Sequence, residues 1–120
     1  MKTEAYVYMV ECEDGSLYTG ITKDVRQRMK EHYDKTEKGA KYTRSHQIRR
    51  IRMVWKAETY AAAARLEYAI KQLPRAKKLR LIERPEEEVK ALFPKLAEEK
   101  YEPGTEYIMD ICNLLDRNCM

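Results

Sequence analysis

Two strand-like runs, AYVYMVEC at 5–12 and SLYTGI at 16–21, are separated by Glu13-Asp14-Gly15. Tyrosine and valine favour a pleated backbone, and an Asp-Gly pair between two such runs is a hairpin signal. The chain therefore opens with a β-hairpin, and the elements after it are read as its packing partners. Asp24 is a candidate N-cap with Gln27 three residues on, which predicts a helix from Val25 to Tyr33. On that helix Val25 and Met29 share one stripe, and Arg28 and His32 share another. Residues 34–46, DKTEKGAKYTRSH, are polar and read as a loop.

From Gln47 to Ala57, Ile51, Met53 and Trp55 alternate with Arg50, Arg52 and Lys56. That period of two predicts a half-buried strand with a basic outer face. Thr59 can cap a helix from Tyr60 to Leu73, whose apolar stripe is Ala62, Ala63, Leu66, Ala69, Ile70 and Leu73, with Glu67 on its edge. Pro74 fits the start of a third short helix. The order β-β-α-β-α-α predicts an α+β fold: a small three-stranded antiparallel sheet flanked by helices.

Charge divides the chain near Ile82. The net charge is +4, yet residues 1–82 carry a balance of +9 and residues 83–120 one of −5. The predicted organisation is a domain over 1–82 and an acidic helical extension over 83–120. Pro85-Glu86-Glu87-Glu88 starts a helix with acids at its positive dipole end, and Pro94 kinks or ends it. Pro103-Gly104 is a break, after which Thr105 caps a last helix with Ile108, Ile111, Cys112 and Leu115 as its stripe.

With 120 residues, 43% hydrophobic and 37% charged, the composition is that of one globular domain with a heavily charged surface. No apolar run approaches the ~20 residues of a membrane-spanning helix, and the N-terminus lacks a signal-peptide stretch. Cys12, Cys112 and Cys119 are odd in number and form no CxxC pair. Reduced thiols in the cytoplasm are therefore expected rather than a disulfide framework or a zinc knuckle. Eleven basic residues between Arg26 and Lys56, against Glu31, Asp34 and Glu37, point to a polyanionic partner.

Tyr6-Val7-Tyr8 and Tyr18-Thr19-Gly20 stand on the two hairpin strands, Arg28 and His32 follow on a helix, and Glu67 lies within a second helix. Taken singly, each has an ordinary reading: packed strand tyrosines, an exposed helical pair, a carboxylate paired with Lys71, and Trp55 in the core. Taken together, the chain resembles the GIY-YIG endonuclease superfamily, shared by phage homing endonucleases and the nuclease domain of a bacterial excision-repair protein. YVY stands for GIY and YTG for YIG, while TKDVRQRMKEH and RLEYAIKQL match the two helices. GAKYTR between them resembles small stand-alone bacterial members, and the likeness spans about residues 5–82. Tyr6 replaces the first glycine of the motif. Ile21 stands where some repair enzymes carry a lysine.

The resemblance implies a metal-dependent endonuclease hydrolysing phosphodiester bonds in DNA repair or processing. Glu67 would hold one Mg²⁺ or Mn²⁺ with the help of several waters, as magnesium usually keeps most of its hydration. Arg28 would bind the scissile phosphate through its planar fork. Tyr8, Tyr18 or His32 would take the proton of the attacking water. A phenol with a pKa of ~10 is a poor base unless positive surroundings lower it. Lys41, Arg44, Arg49, Arg50, Arg52 and Lys71 would contact nucleic-acid phosphates. No helix-turn-helix or zinc finger is visible, which favours weakly specific or structure-selective action on branched, nicked or single-stranded DNA. Two other classes fit the same residues. One is a nucleic-acid-binding module without efficient cleavage; the other is an interaction protein whose acidic tail drives oligomerisation or covers the basic cleft.

Overall fold

The computed structural model describes residues 4–33, 47–96 and 98–115. The hairpin forms as the turn chemistry requires: β1 (Ala5–Cys12) and β2 (Leu17–Thr22) pair antiparallel from Tyr6↔Thr22 to Glu11↔Leu17. Gly15 sits in the turn at φ 86°, the left-handed region where a side chain is strained. Asp14 Oδ1 accepts from the Ser16 backbone amide at 3.0 Å and closes the turn.

Helix α1 (Val25–Tyr33) starts where Asp24 Oδ1 accepts from the Gln27 amide at 3.1 Å. The Asp24 amide is itself satisfied by Thr22 Oγ1, 3.1 Å away. Strand β3 (Ile48–Ala57) returns beside β1, and Thr59 caps α2 (Tyr60–Lys71) by accepting from the Ala62 amide at 3.1 Å. Helices α3 (Arg75–Glu83) and α4 (Pro85–Leu92) follow, and Pro94 ends α4 in a single 3₁₀ turn, Pro94–Leu96. The segment 34–46, read as a loop, lies outside the described residues.

The sheet has four strands, not the three expected. Its order is β2-β1-β3-β4, where β4 (Tyr101–Pro103) comes from the acidic C-terminal segment. The cause is the free edge of β3, whose backbone groups need partners. Tyr101 to Pro103 pair with Ala57 to Trp55, Gly104 N–H donates to Val54 O at 2.7 Å, and Ile51 N–H donates to Met109 O at 2.9 Å. This pairing also alters the last helix. Instead of one helix from Thr105, the chain makes a 3₁₀ turn (Thr105–Tyr107), bridges Arg50 through Asp110, and forms only the short α5 (Ile111–Leu114).

Both faces of the sheet are covered, which corrects the expectation of an open basic face on β3. Val7, Met9, Met53 and Trp55 pack with Ala62, Ala63, Leu66 and Ile70 of α2, joined by Leu81 of α3 and Val89 of α4. Tyr8, Val10, Ile51 and Val54 pack on the other face with Val25 and Met29 of α1 and with Ile111 and Leu114 of α5. Ile51 and Met53 fall in different layers because the β1–β3 register shifts: Met9 faces Met53 while Val10 faces Ile51, leaving Arg52 as the extra residue. Trp55 is fully buried, as expected.

Thr19 on β2 is the exception to this packing. It is 3% exposed and its hydroxyl has no hydrogen-bond partner among the described residues. A buried unpaired hydroxyl costs free energy that a methyl does not. Thr19→Val is therefore expected to stabilise the protein by about 1 kcal/mol, read as a higher urea midpoint at unchanged slope.

Candidate active site

The register of the hairpin assembles the site. Tyr8 pairs with Gly20 and Val10 with Tyr18, so both phenols project from the same face of the sheet as α1. A Cβ on Gly20 would overlap the Tyr8 hydroxyl and Cζ within 3 Å. The glycine is thus required by the close approach of a ring, with no need for unusual backbone angles. On α1 the inward stripe is Val25, Met29 and His32, which buries His32 completely. Arg28, on the stripe that the i, i+4 spacing predicts for both, stays partly exposed beside it.

Three of the expected residues meet at one oxygen. The Tyr8 hydroxyl lies 2.7 Å from His32 Nε2, and Arg28 Nε donates to the same oxygen at 3.4 Å. A guanidinium can only donate, so the Tyr8 oxygen accepts from Arg28, while the direction of the Tyr8–His32 bond follows the imidazole tautomer. Tyr18 completes an aromatic trio, with ring centroids 6.4 Å from Tyr8 and 5.8 Å from His32. Glu31, which sequence reasoning missed, holds the Arg28 guanidinium at 3.4 Å. Its signal was the i, i+3 spacing on one helix face.

Glu67 reaches the same region from α2, past the β2 edge. Its carboxylate charge is felt at both Tyr8 and Tyr18. Lys71 links it to the trio, with Nζ 3.8 Å from Glu67 Oε2 and 5.8 Å from the Tyr18 ring centroid. The site is layered: Tyr8 and His32 are fully buried, whereas the side chains of Arg28 and Glu67 are 25% and 21% exposed, and Tyr18 is half-buried.

Burial governs the proton chemistry. It pushes the Tyr8 phenol far above its ordinary pKa near 10; the Arg28 hydrogen bond and charge oppose the shift without offsetting it. Tyr18 is raised as well, chiefly by burial. Arg28 by itself therefore does not bring the Tyr8 phenol down. Burial, assisted by the Arg28 charge, holds the His32 imidazole down to about 4.

The basic residues proposed as phosphate contacts separate into groups. Arg49 is exposed on β3, and Lys71 stands at the site. Arg52 is tied to Glu11 at 2.6 Å, and Arg50 is half-buried with its Nε out of hydrogen-bond contact among the described residues. Lys41 and Arg44 lie outside the described residues. Among the described residues no three His, Cys, Asp or Glu side chains gather into a metal cluster. One partly exposed carboxylate is a hard oxygen donor. It suits an ion that keeps its waters and shares a substrate phosphate, not an ion caged by protein. No helix among the described residues is long and apolar enough to cross a membrane.

The family model for the GIY-YIG catalytic domain matches residues 4–80. The chain belongs to the GIY-YIG family. Within it, the chain is similar to small bacterial proteins grouped as UPF0213. One, from Fusobacterium nucleatum, is 42% identical over 85 residues, covering 71% of this chain and 83% of the relative. Another, from Oceanobacillus iheyensis, is 46% identical over 88 residues, covering 73% of this chain and all of the relative. A solution NMR structure of a UPF0213 protein from Bacillus halodurans is 40% identical, with a TM-score of 0.43, and covers 75% of this chain and 97% of that one.

The buried neutral imidazole sets an acid limit on stability. The unfolded chain gains a proton near pH 6.5 that the folded chain refuses until about pH 4, so stability falls as pH drops through that window. Between pH 7 and pH 4 the expected loss from this group is about 3 kcal/mol. His32→Gln should lose correspondingly less over the same range in urea titrations. Equal pH profiles for the two proteins would contradict a buried neutral His32.

Proposed function

We propose that this protein is a divalent-metal-dependent endonuclease that hydrolyses DNA phosphodiester bonds. The observation that carries the reading is the Tyr8 hydroxyl, which His32 Nε2 and Arg28 Nε both meet, in a site where the charge of Glu67 reaches both phenols.

Arg28 is the phosphate ligand in this reading. It is partly exposed, permanently charged and oriented by Glu31. Its 3.4 Å contact to Tyr8 is long for a hydrogen bond. A substrate phosphate draws the guanidinium outward and uncovers the phenol beneath. Tyr8 can then take a proton from the attacking water while passing its own to His32 Nε2. This route never requires a free phenolate, which burial disfavours. His32 ends as an imidazolium that the bound phosphate's charge supports. Tyr18, nearer the surface, orients the water. Glu67 would hold a Mg²⁺ or Mn²⁺ ion, which when bound supplies charge stabilisation at the phosphate and the leaving oxygen.

Arg49 and Lys71 extend the site as phosphate contacts, with Lys41 and Arg44 as further candidates. In this reading the enzyme acts on branched, nicked or single-stranded DNA with weak or structure-selective specificity. DNA repair or processing in the cytoplasm suits such an activity. One observation favours the second reading, a binding module without turnover: Tyr8 and His32 are both wholly buried.

Cleavage of branched and linear DNA with Mg²⁺ or Mn²⁺ separates the two. Glu67→Gln and Tyr8→Phe are each expected to lower the rate at least 100-fold, and Arg28→Ala to weaken DNA binding as well. Binding that falls steeply with salt, without metal-dependent cleavage by the wild type, would leave only the binding module.

A further inference from the structure

The family match ends at residue 80, yet the segment beyond it grips the helix that carries Glu67. Tyr101 Oη donates to the Ala62 carbonyl oxygen at 2.8 Å, and Glu99 Oε1 pairs with Arg65 Nη2 at 2.5 Å. Both bonds land on the first two turns of α2, just before Glu67. We propose that Tyr101 and Glu99 are positioning residues, which set where α2 lies along the sheet and so hold the Glu67 carboxylate against the Tyr8–Tyr18 pocket. The inference rests on the assignment of Glu67 as the metal ligand.

The end of α2 that the brace reaches is its more lightly packed end. The fully buried contacts of α2 are Ala62, Ala63, Leu66 and Ile70. Apolar contact is non-directional, and two of these four side chains are single methyl groups that interlock little with the sheet. Leu66 and Ile70 interlock with the sheet further along, so the Ala62–Ala63 end is where packing resists displacement least. The Tyr101 hydrogen bond is directional and resists it; the Arg65–Glu99 pair, 51% and 33% exposed, adds a weaker restraint. A carbonyl oxygen has two lone pairs, so Ala62 can accept from Tyr101 and still serve the helical ladder.

The other end of the brace is anchored in the sheet. Tyr101 pairs with Ala57 and Glu102 with Lys56, while Gly104 N–H donates to Val54 O at 2.7 Å. Burial pushes the Tyr101 phenol up to about 12, so it remains a donor at neutral pH. Glu67 lies five residues beyond Ala62, about 7.5 Å along the axis of a stiff helix. A small displacement at Ala62 is therefore transmitted to the carboxylate.

The test uses the full-length protein, with Mn²⁺ as probe. Mn²⁺ affinity is measured by electron paramagnetic resonance, cleavage by kcat and KM for DNA, and the site by the ring-proton shifts of Tyr18. Tyr101→Phe removes the donor and keeps the ring. The expected result is a three- to tenfold weaker Mn²⁺ affinity, a similar fall in kcat, a KM for DNA changed less than twofold, and displaced Tyr18 signals. Glu99→Ala should act in the same direction, whereas Glu99→Gln, which keeps an acceptor for Arg65, should recover most of the affinity.

If Tyr101→Phe lowers only the melting temperature, leaving Mn²⁺ affinity, kcat and the Tyr18 signals as in the wild type, the brace is structural and the proposal fails. If wild type and Glu67→Gln bind Mn²⁺ equally, the assignment of Glu67 fails instead. The Tyr18 signals then still report whether Tyr101 sets the position of α2.

Discussion

The ring of Tyr8 occupies the space that a side chain at Gly20 would take, and the arrangement of the site follows from that substitution of ring for methyl. Because β1 is an inner strand and Tyr8 faces Gly20 across the pair, the phenol lies flat against β2 and ends beneath α1. There its hydroxyl meets His32 and Arg28, two residues one helical turn apart. A side chain at position 20 would lift the ring and break both contacts at once. Two glycines of this chain thus do different work: Gly15 supplies a left-handed turn, and Gly20 supplies space.

Burial then decides the chemistry of that cluster. Removing Tyr8 and His32 from water favours the neutral form of each, raising one pKa and depressing the other. A protonated phenol hydrogen-bonded to a neutral imidazole is the state in which neither group carries charge inside the fold. The charges stay at the rim, on Arg28, Glu67 and Lys71, where water and a phosphate can reach them. This division suits the proposed function, in which a polyanion binds at the surface and a proton is handled one layer below.

The acidic C-terminal segment is built into the molecule through the backbone of β3. It satisfies the edge that β3 leaves open, contributes Val89 to one core layer and Ile111 and Leu114 to the other, and bonds to α2. Its negative balance is carried by residues such as Glu86, Glu87, Glu98 and Glu102, which stand exposed to solvent.

Much of the local structure was legible from residue order alone. The hairpin, the Asp24 and Thr59 caps, and α1 through α4 are set by turn chemistry, capping side chains and helical periodicity, which act over a few residues. The five residues Tyr8, Tyr18, Arg28, His32 and Glu67 were legible as a family pattern. The fourth strand was not, because three residues near position 101 carry no signal that distinguishes an edge strand from a loop until β3 presents its edge. Nor was the complete burial of His32, or the upward shift at Tyr8. Both depend on layers contributed by segments far apart in the chain, and desolvation outweighs the nearby cation only when those layers close. What the amino-acid order determined by itself was which side chains are available and how each short segment folds. What the tertiary structure alone decided was which of them lose contact with water and which distant residues hold them, since both depend on contacts that exist only once the sheet is covered on its two faces.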